Sequence, residues 1–165
     1  MLRRIDDRVS LRSVVWAFPA VFLIHDTEEL ITVESWLIRN RQLLTEKFGF
    51  IVERFPDGLF WTTPRFAVAV TALFLVIFWT SWRAARHLGP SRPLNRFVAL
   101  VTVLFLNVFT HSAQSVLLGT YTPGVATALL VSLPYTSYVY YRFAKTGWIT
   151  RRFVRTVFGS GVLLL

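Results

Sequence analysis

Long apolar runs separated by short basic segments set the pattern of this chain. Four runs reach the roughly 17–25 residues that a helix needs to cross a hydrocarbon core. They span residues 13–36, 66–82, 96–118 and 125–141. A shorter run over residues 148–165 predicts a C-terminal fifth helix that either spans or lies in the interface. Between the first two runs, Leu37, Leu43, Leu44, Phe48 and Ile51 recur at near-helical spacing among charged residues. That pattern predicts an amphipathic helix lying along the interface. Pro56-Asp57-Gly58 is a turn signal, Thr62-Thr63-Pro64 opens the next helix, and Gly89-Pro90-Ser91-Arg92-Pro93 breaks the chain again. Pro19 and Pro134 mark expected kinks in the first and fourth runs. The expected architecture is an all-α polytopic membrane bundle, with four transmembrane helices, a shorter C-terminal helix and an interfacial segment. It forms one integral membrane domain over residues 1–165.

Composition and charge support this picture. The chain is 54% hydrophobic and 16% aromatic, with no cysteine, which excludes disulfides and thiolate metal sites. Mean hydropathy is +0.51. The net charge of +9 could suggest nucleic acid, but Lys and Arg sit between apolar runs and form no single stripe. They fit loops meeting anionic headgroups instead, so membrane lipid is an expected partner and nucleic acid is not. With a cytoplasmic N-terminus, the inside segments carry four, four and five of the eighteen basic residues. The positive-inside rule favours that multi-pass orientation. The first run lacks a small-residue cleavage site and is expected to be a retained span, not a signal peptide. Trp79 and Trp82 fit an interfacial belt.

One run breaks the apolar pattern. His25-Asp26-Thr27-Glu28-Glu29 falls inside the first span, where ionisable groups are costly and usually mark function. His25, Glu28 and Glu29 share a helical face at i, i+3 and i+4, and Asn107, His111 and Gln114 repeat that spacing in the third span. The topology makes these spans parallel, with both polar groups roughly 17 Å from the cytoplasmic start at ~1.5 Å per residue. They can therefore face each other.

Two imidazoles with carboxylates suit a divalent metal ion, Zn²⁺ first, with Fe²⁺ or Mn²⁺ as alternatives. In that reading His25, Glu29 and His111 are ligands, and Glu28 is a further ligand or the general base acting on a metal-activated water. Asn107 and Gln114 orient ligands or substrate, and Tyr121 reaches the mouth of the site. Blander readings stand beside this one. Asn107 with Gln114 can be hydrogen-bond glue between helices, His111 a packing residue, and Asp26 a group solvated at the headgroup level on another face. Metal-free proton chemistry between adjacent carboxyls is a further alternative.

Phe18-Pro19, His25-Asp26-Thr27-Glu28-Glu29, the Asn107-x-x-x-His111 helix and Tyr121-Thr-Pro-Gly124-Val-x-Thr127-Ala128 together resemble the HXXEE family. This is a group of small prokaryotic integral membrane proteins of unknown function, and the likeness covers about residues 14–142. It implies the cell (inner) membrane and a polar intramembrane site, and it supplies no substrate. The function expected from the residues is a metal-dependent intramembrane hydrolase acting on a lipid or other hydrophobic small molecule. Two alternatives remain. One is a small proton-coupled transporter using Glu28 and Glu29, which would need a homo-oligomer. The other is a non-enzymatic lipid- or pigment-binding protein.

Overall fold

The computed structural model describes residues 9–54 and 62–149, which are all-helical with no strand. Helix α1 (Leu11–Arg39) leads into α2 (Arg41–Arg54), followed by α3 (Thr63–Arg86) and α4 (Arg92–Leu118). The last rod is built from α5 (Val125–Thr127), a π-helical segment (Ala128–Ser132) and α6 (Leu133–Lys145). Its junction residues all keep right-handed helical angles, so the three pieces run on without a break. The expected Pro56–Gly58 turn and nearly all of the expected C-terminal helix over 148–165 lie outside the described residues.

Local chemistry sets the ends. The Ser13 amide donates to Ser10 Oγ at the start of α1, and the Leu94 amide to Ser91 Oγ at the start of α4. Pro64 and Pro93 occupy first-turn positions, where a missing N–H costs nothing. Gly119, at φ 66°, takes the left-handed cap that ends α4. The helices outrun the apolar runs at each polar end, because capping residues and not hydropathy decide where a helix stops. Pro134 cannot donate to the preceding turn, and the helix widens to the π form just before it.

Contacts fix how the helices run. Phe18 meets Phe97 and His25 meets Asn107, so α1 and α4 are parallel. Trp16 meets Phe78 while Glu34 accepts from the Thr63 amide, so α3 runs antiparallel to α1. His25 meets Thr127, Tyr135 donates to the Val14 carbonyl, and Arg142 donates to the Val9 carbonyl. The last rod is therefore also antiparallel to α1. The core fills the half of the bundle nearest the start of α1, where Phe18, Phe97 and Phe143 are fully buried beside Leu94, Val98, Val101 and Val139.

Helices α3 and α4 are long and apolar enough to cross a membrane. Only 17% of the most apolar stretch of α3 is buried, and Val68, Leu75 and Trp79 point outward. Helix α1 is longer, at 29 residues, but Asp26, Glu28 and Glu29 lower its hydropathy. The stretch after the first run forms α2, kinked at Phe48, with Leu44 buried and Phe48 and Phe50 exposed, while Leu37 belongs to α1.

Phe97 joins α1 and α6 through edge-on ring contacts with centroids 5.5 and 5.9 Å away. We expect Phe97→Ala to cost about 3–5 kcal/mol, mostly through lost packing. Unfolding of wild type and variant in detergent micelles measures it, and a loss under about 1 kcal/mol would show that this triad does not hold the bundle.

Candidate functional site

The buried end of α1 beyond Phe22 carries the polar cluster. His25 is 2% exposed, and Asp26 and His111 are 8% exposed. Because α1 and α4 are parallel, two i, i+4 pairs meet at one level: His25 with Glu29, and Asn107 with His111. The sequence spacing predicts this juxtaposition, and the structure makes it. Glu29 Oε1 lies 2.8 Å from His111 Nε2 and 3.4 Å from His25 Nε2. The Asn107 amide donates to both imidazoles, at 3.1 Å to His25 Nε2 and 3.0 Å to His111 Nε2. The two rings meet edge to face with centroids 5.0 Å apart.

The network fixes the tautomer of His25. Thr127 donates its hydroxyl to Glu28 Oε2 at 2.5 Å, so its oxygen accepts from His25 Nδ1–H at 3.0 Å. His25 Nε2 then presents a lone pair toward Glu29. With its amide nitrogen toward the rings, Asn107 donates to His111 Nε2 in the same way. Three lone-pair-bearing atoms from two helices thus converge, all within 4.8 Å of one another. The Asn107 amide hydrogens satisfy the two nitrogens, and either a proton or a cation between Glu29 and His111 would relieve the remaining crowding of lone pairs.

Adjacent in sequence, Glu28 and Glu29 have separate surroundings. Glu29 enters the cluster. Glu28, about 100° round the helix, faces the turn between α4 and α5 and accepts three hydrogen bonds there. Tyr121 donates to Oε1 at 2.5 Å, and Thr127 donates to Oε2 through its amide at 2.7 Å and its hydroxyl at 2.5 Å. Glu28 is therefore not among the converging donors, and its contact with the cluster runs through Thr127 to His25. Tyr121 does not line the cavity. Burial and the neighbouring Glu28 carboxylate raise its phenol above the ordinary value, which suits a donor. Its carbonyl accepts from Trp36 Nε1 at 2.5 Å, which pins the turn to α1.

Gln114 is exposed and does not join the cluster. Ser115 takes the contact with the turn instead, at 2.6 Å from Thr122 Oγ1. Asp26 departs from the headgroup-level reading. It is buried, lines the cavity, and its Oδ2 has no hydrogen-bond partner among the described residues. Thr127 orients His25, and spacing within α1 and α4 gave no signal for it, because it arrives from the last rod.

A cavity of about 300 Å³ opens from the cluster. His25, Asp26, Glu29, Asn107 and His111 line one end, and apolar side chains of α1, α3 and α4 line the rest.

An all-helical chain with a carboxylate–imidazole cluster buried between parallel helices is the class that fold and site define. The family model described as a protein of unknown function with HXXEE motif matches residues 16–139. The chain belongs to the HXXEE family, whose motif is His25-Asp26-Thr27-Glu28-Glu29 here. No curated protein and no solved structure matches it.

Gly124 closes the roof of the cluster at φ 84°. A Cβ there would come within 2.6 Å of Glu29 Oε1 and 2.8 Å of His111 Cε1. Gly119, at φ 66°, has nothing within 4 Å, so Gly119→Ala carries only the left-handed backbone cost of about 1–2 kcal/mol. We expect Gly124→Ala to destabilise more than Gly119→Ala by at least about 1 kcal/mol in detergent unfolding. Equal losses would show that the close approach over Glu29 imposes no constraint.

Proposed function

We propose that the protein is a four-span inner-membrane enzyme with a cytoplasmic N-terminus, whose His25, Glu29 and His111 hold one divalent metal ion for hydrolysis of a hydrophobic substrate. The observation that carries this reading is the convergence of Nε2, Nε2 and Oε1. Donors around a tetrahedral ion with ~2.0–2.1 Å bonds stand about 3.3 Å apart, close to the 2.8 and 3.4 Å separations of Glu29 Oε1 from the imidazoles. Two imidazoles and one carboxylate leave a position open, as in hydrolytic zinc sites; the same donors also serve non-haem iron. We therefore place Zn²⁺ first and Fe²⁺ or Mn²⁺ behind it.

The chain's own residues have distinct roles in this reading. Thr127, anchored on Glu28, holds His25 in the tautomer that offers Nε2. This is the outer support that metal-bound histidines use. Asn107 sets the two rings against each other. Glu28 acts as an orienting anchor and not as the general base. An ion held by His25, Glu29 and His111 would supply Lewis-acid chemistry for hydrolysis near neutral pH. The apolar walls keep bulk water away, which strengthens every charge interaction inside.

Membrane placement draws support from the outward apolar face of α3, which in water would be an exposed patch that no described residue covers. Helix α1 and the last rod complete the four spans because α1 turns Asp26 and Glu29 inward and the rod lies against it. A second reading, a lipid- or pigment-binding protein without turnover, is favoured by the apolar cavity.

Elemental analysis of protein purified after metal-replete expression tests the metal. We expect about one Zn, Fe or Mn per chain in wild type and at least a tenfold loss in His25→Ala and His111→Ala. Content well below one in wild type would overturn the metal reading and leave the binding reading. Topology is tested on single cysteines, since the chain has none of its own. In intact cells a membrane-impermeant maleimide should label Thr120→Cys and spare His87→Cys; the reverse pattern would overturn the orientation.

A further inference from the structure

The cavity has a direction as well as a volume. Its polar end is buried beneath the turn at Gly124, and its far rim includes Leu73 of α3 and Val103 of α4. These two are 44% and 39% exposed, whereas Phe18 and Phe22 on the inner wall are 0% and 4% exposed. The cavity therefore opens sideways, between α3 and α4, through the apolar flank of the bundle. Its lining among the described residues contains two carboxyls, two imidazoles and one amide, and no Lys or Arg.

Each feature restricts the occupant. A mouth in an apolar flank admits molecules already dissolved in the hydrocarbon. About 300 Å³ is at the low end for ligand sites, so one chain fits and a two-chain lipid does not. A phosphate or carboxylate head seated on Asp26 would meet a carboxyl with no Lys or Arg in the lining to receive it, and buried unpaired charge is strongly disfavoured. Asp26 lines this space, and its buried Oδ2 has no hydrogen-bond donor among the described residues. A hydroxyl or amide N–H on the ligand would satisfy it.

We propose that the site takes a neutral, single-chain amphiphile whose head carries a hydrogen-bond donor, entering from the bilayer between Leu73 and Val103, with its head on Asp26 beside the His25–Glu29–His111 cluster. This deepens the reading above and rests on its membrane placement, but not on the metal. Asp26 is a positioning and specificity residue here.

The test uses the full chain in liposomes and photoactivatable twelve-carbon probes with a diazirine at the chain end: an alcohol, the corresponding alkyl phosphate, and the alkane. Crosslinks are mapped by peptide mass spectrometry, and metal content is measured on the same samples. The alcohol should label the α3 and α4 residues that line the cavity, at least tenfold above the phosphate. Labelling there should fall at least fivefold in Leu73→Trp and Val103→Trp, which alter exposed positions and leave the buried core intact. Asp26→Leu should remove the advantage of the alcohol over the alkane without lowering alkane labelling.

Equal labelling by the phosphate would overturn the proposal. So would crosslinks spread evenly over the outward faces, or no response to the rim variants. His111→Ala that loses metal and keeps the alcohol pattern would support this proposal. Retained metal without cavity labelling would overturn it and leave the metal reading standing.

Discussion

A carboxylate oxygen set between two imidazole nitrogens, inside an apolar bundle, is the constraint on which the rest of the structure depends. Glu29 Oε1 sits 2.8 Å from His111 Nε2 and 3.4 Å from His25 Nε2, and Asn107 presses its amide against the same two nitrogens. Water cannot screen these atoms as it would on a surface, so their mutual repulsion must be relieved locally. The shared cation proposed above would relieve it, as would a proton shared between carboxylate and imidazole. The neighbouring architecture holds the donors together: parallel α1 and α4 bring two i, i+4 pairs to one level, and Gly124 lets backbone close over Glu29 where any Cβ would collide.

The paired glutamates show how one helical step separates two functions. Glu29 faces α4 and enters the cluster. Glu28 faces the connecting turn, where it gathers Tyr121 and Thr127 into a clasp between α1 and the last rod. That clasp continues through Thr127 to His25 Nδ1, so the turn that closes the bundle also sets the imidazole orientation. Stability and site geometry share the same hydrogen bonds, and a change in the turn cannot leave the cluster untouched.

The cavity relates this polar point to the apolar surroundings. Its inner wall belongs to the packed core around Phe18 and Phe22, and its mouth lies among side chains that face outward from α3 and α4. In the membrane reading proposed here, the substrate would reach the cluster through that mouth. Hydrocarbon-soluble molecules would arrive from the side, while the turn roofs the cluster from above.

By itself, the chain determined the helices of the described residues, their order and the polar face of the first one, because hydropathy period, proline positions and i, i+4 spacing are local properties. The pairing of His25 and Glu29 with Asn107 and His111 was also legible, since equal spacing at equal depth on parallel helices leaves few other arrangements. The family likeness rested on the same residues. What only tertiary structure decided was the assignment of each acid. Glu28, Glu29 and Asp26 lie within four consecutive positions, yet one is clasped by a turn, one joins the cluster and one stands unpartnered at the cavity. Thr127 as the orienting group, Gln114 as a bystander and the opening between Leu73 and Val103 were equally invisible in the sequence. Each depends on which neighbour arrives from a distant part of the chain, and a helical period fixes direction around one axis without naming what lies opposite.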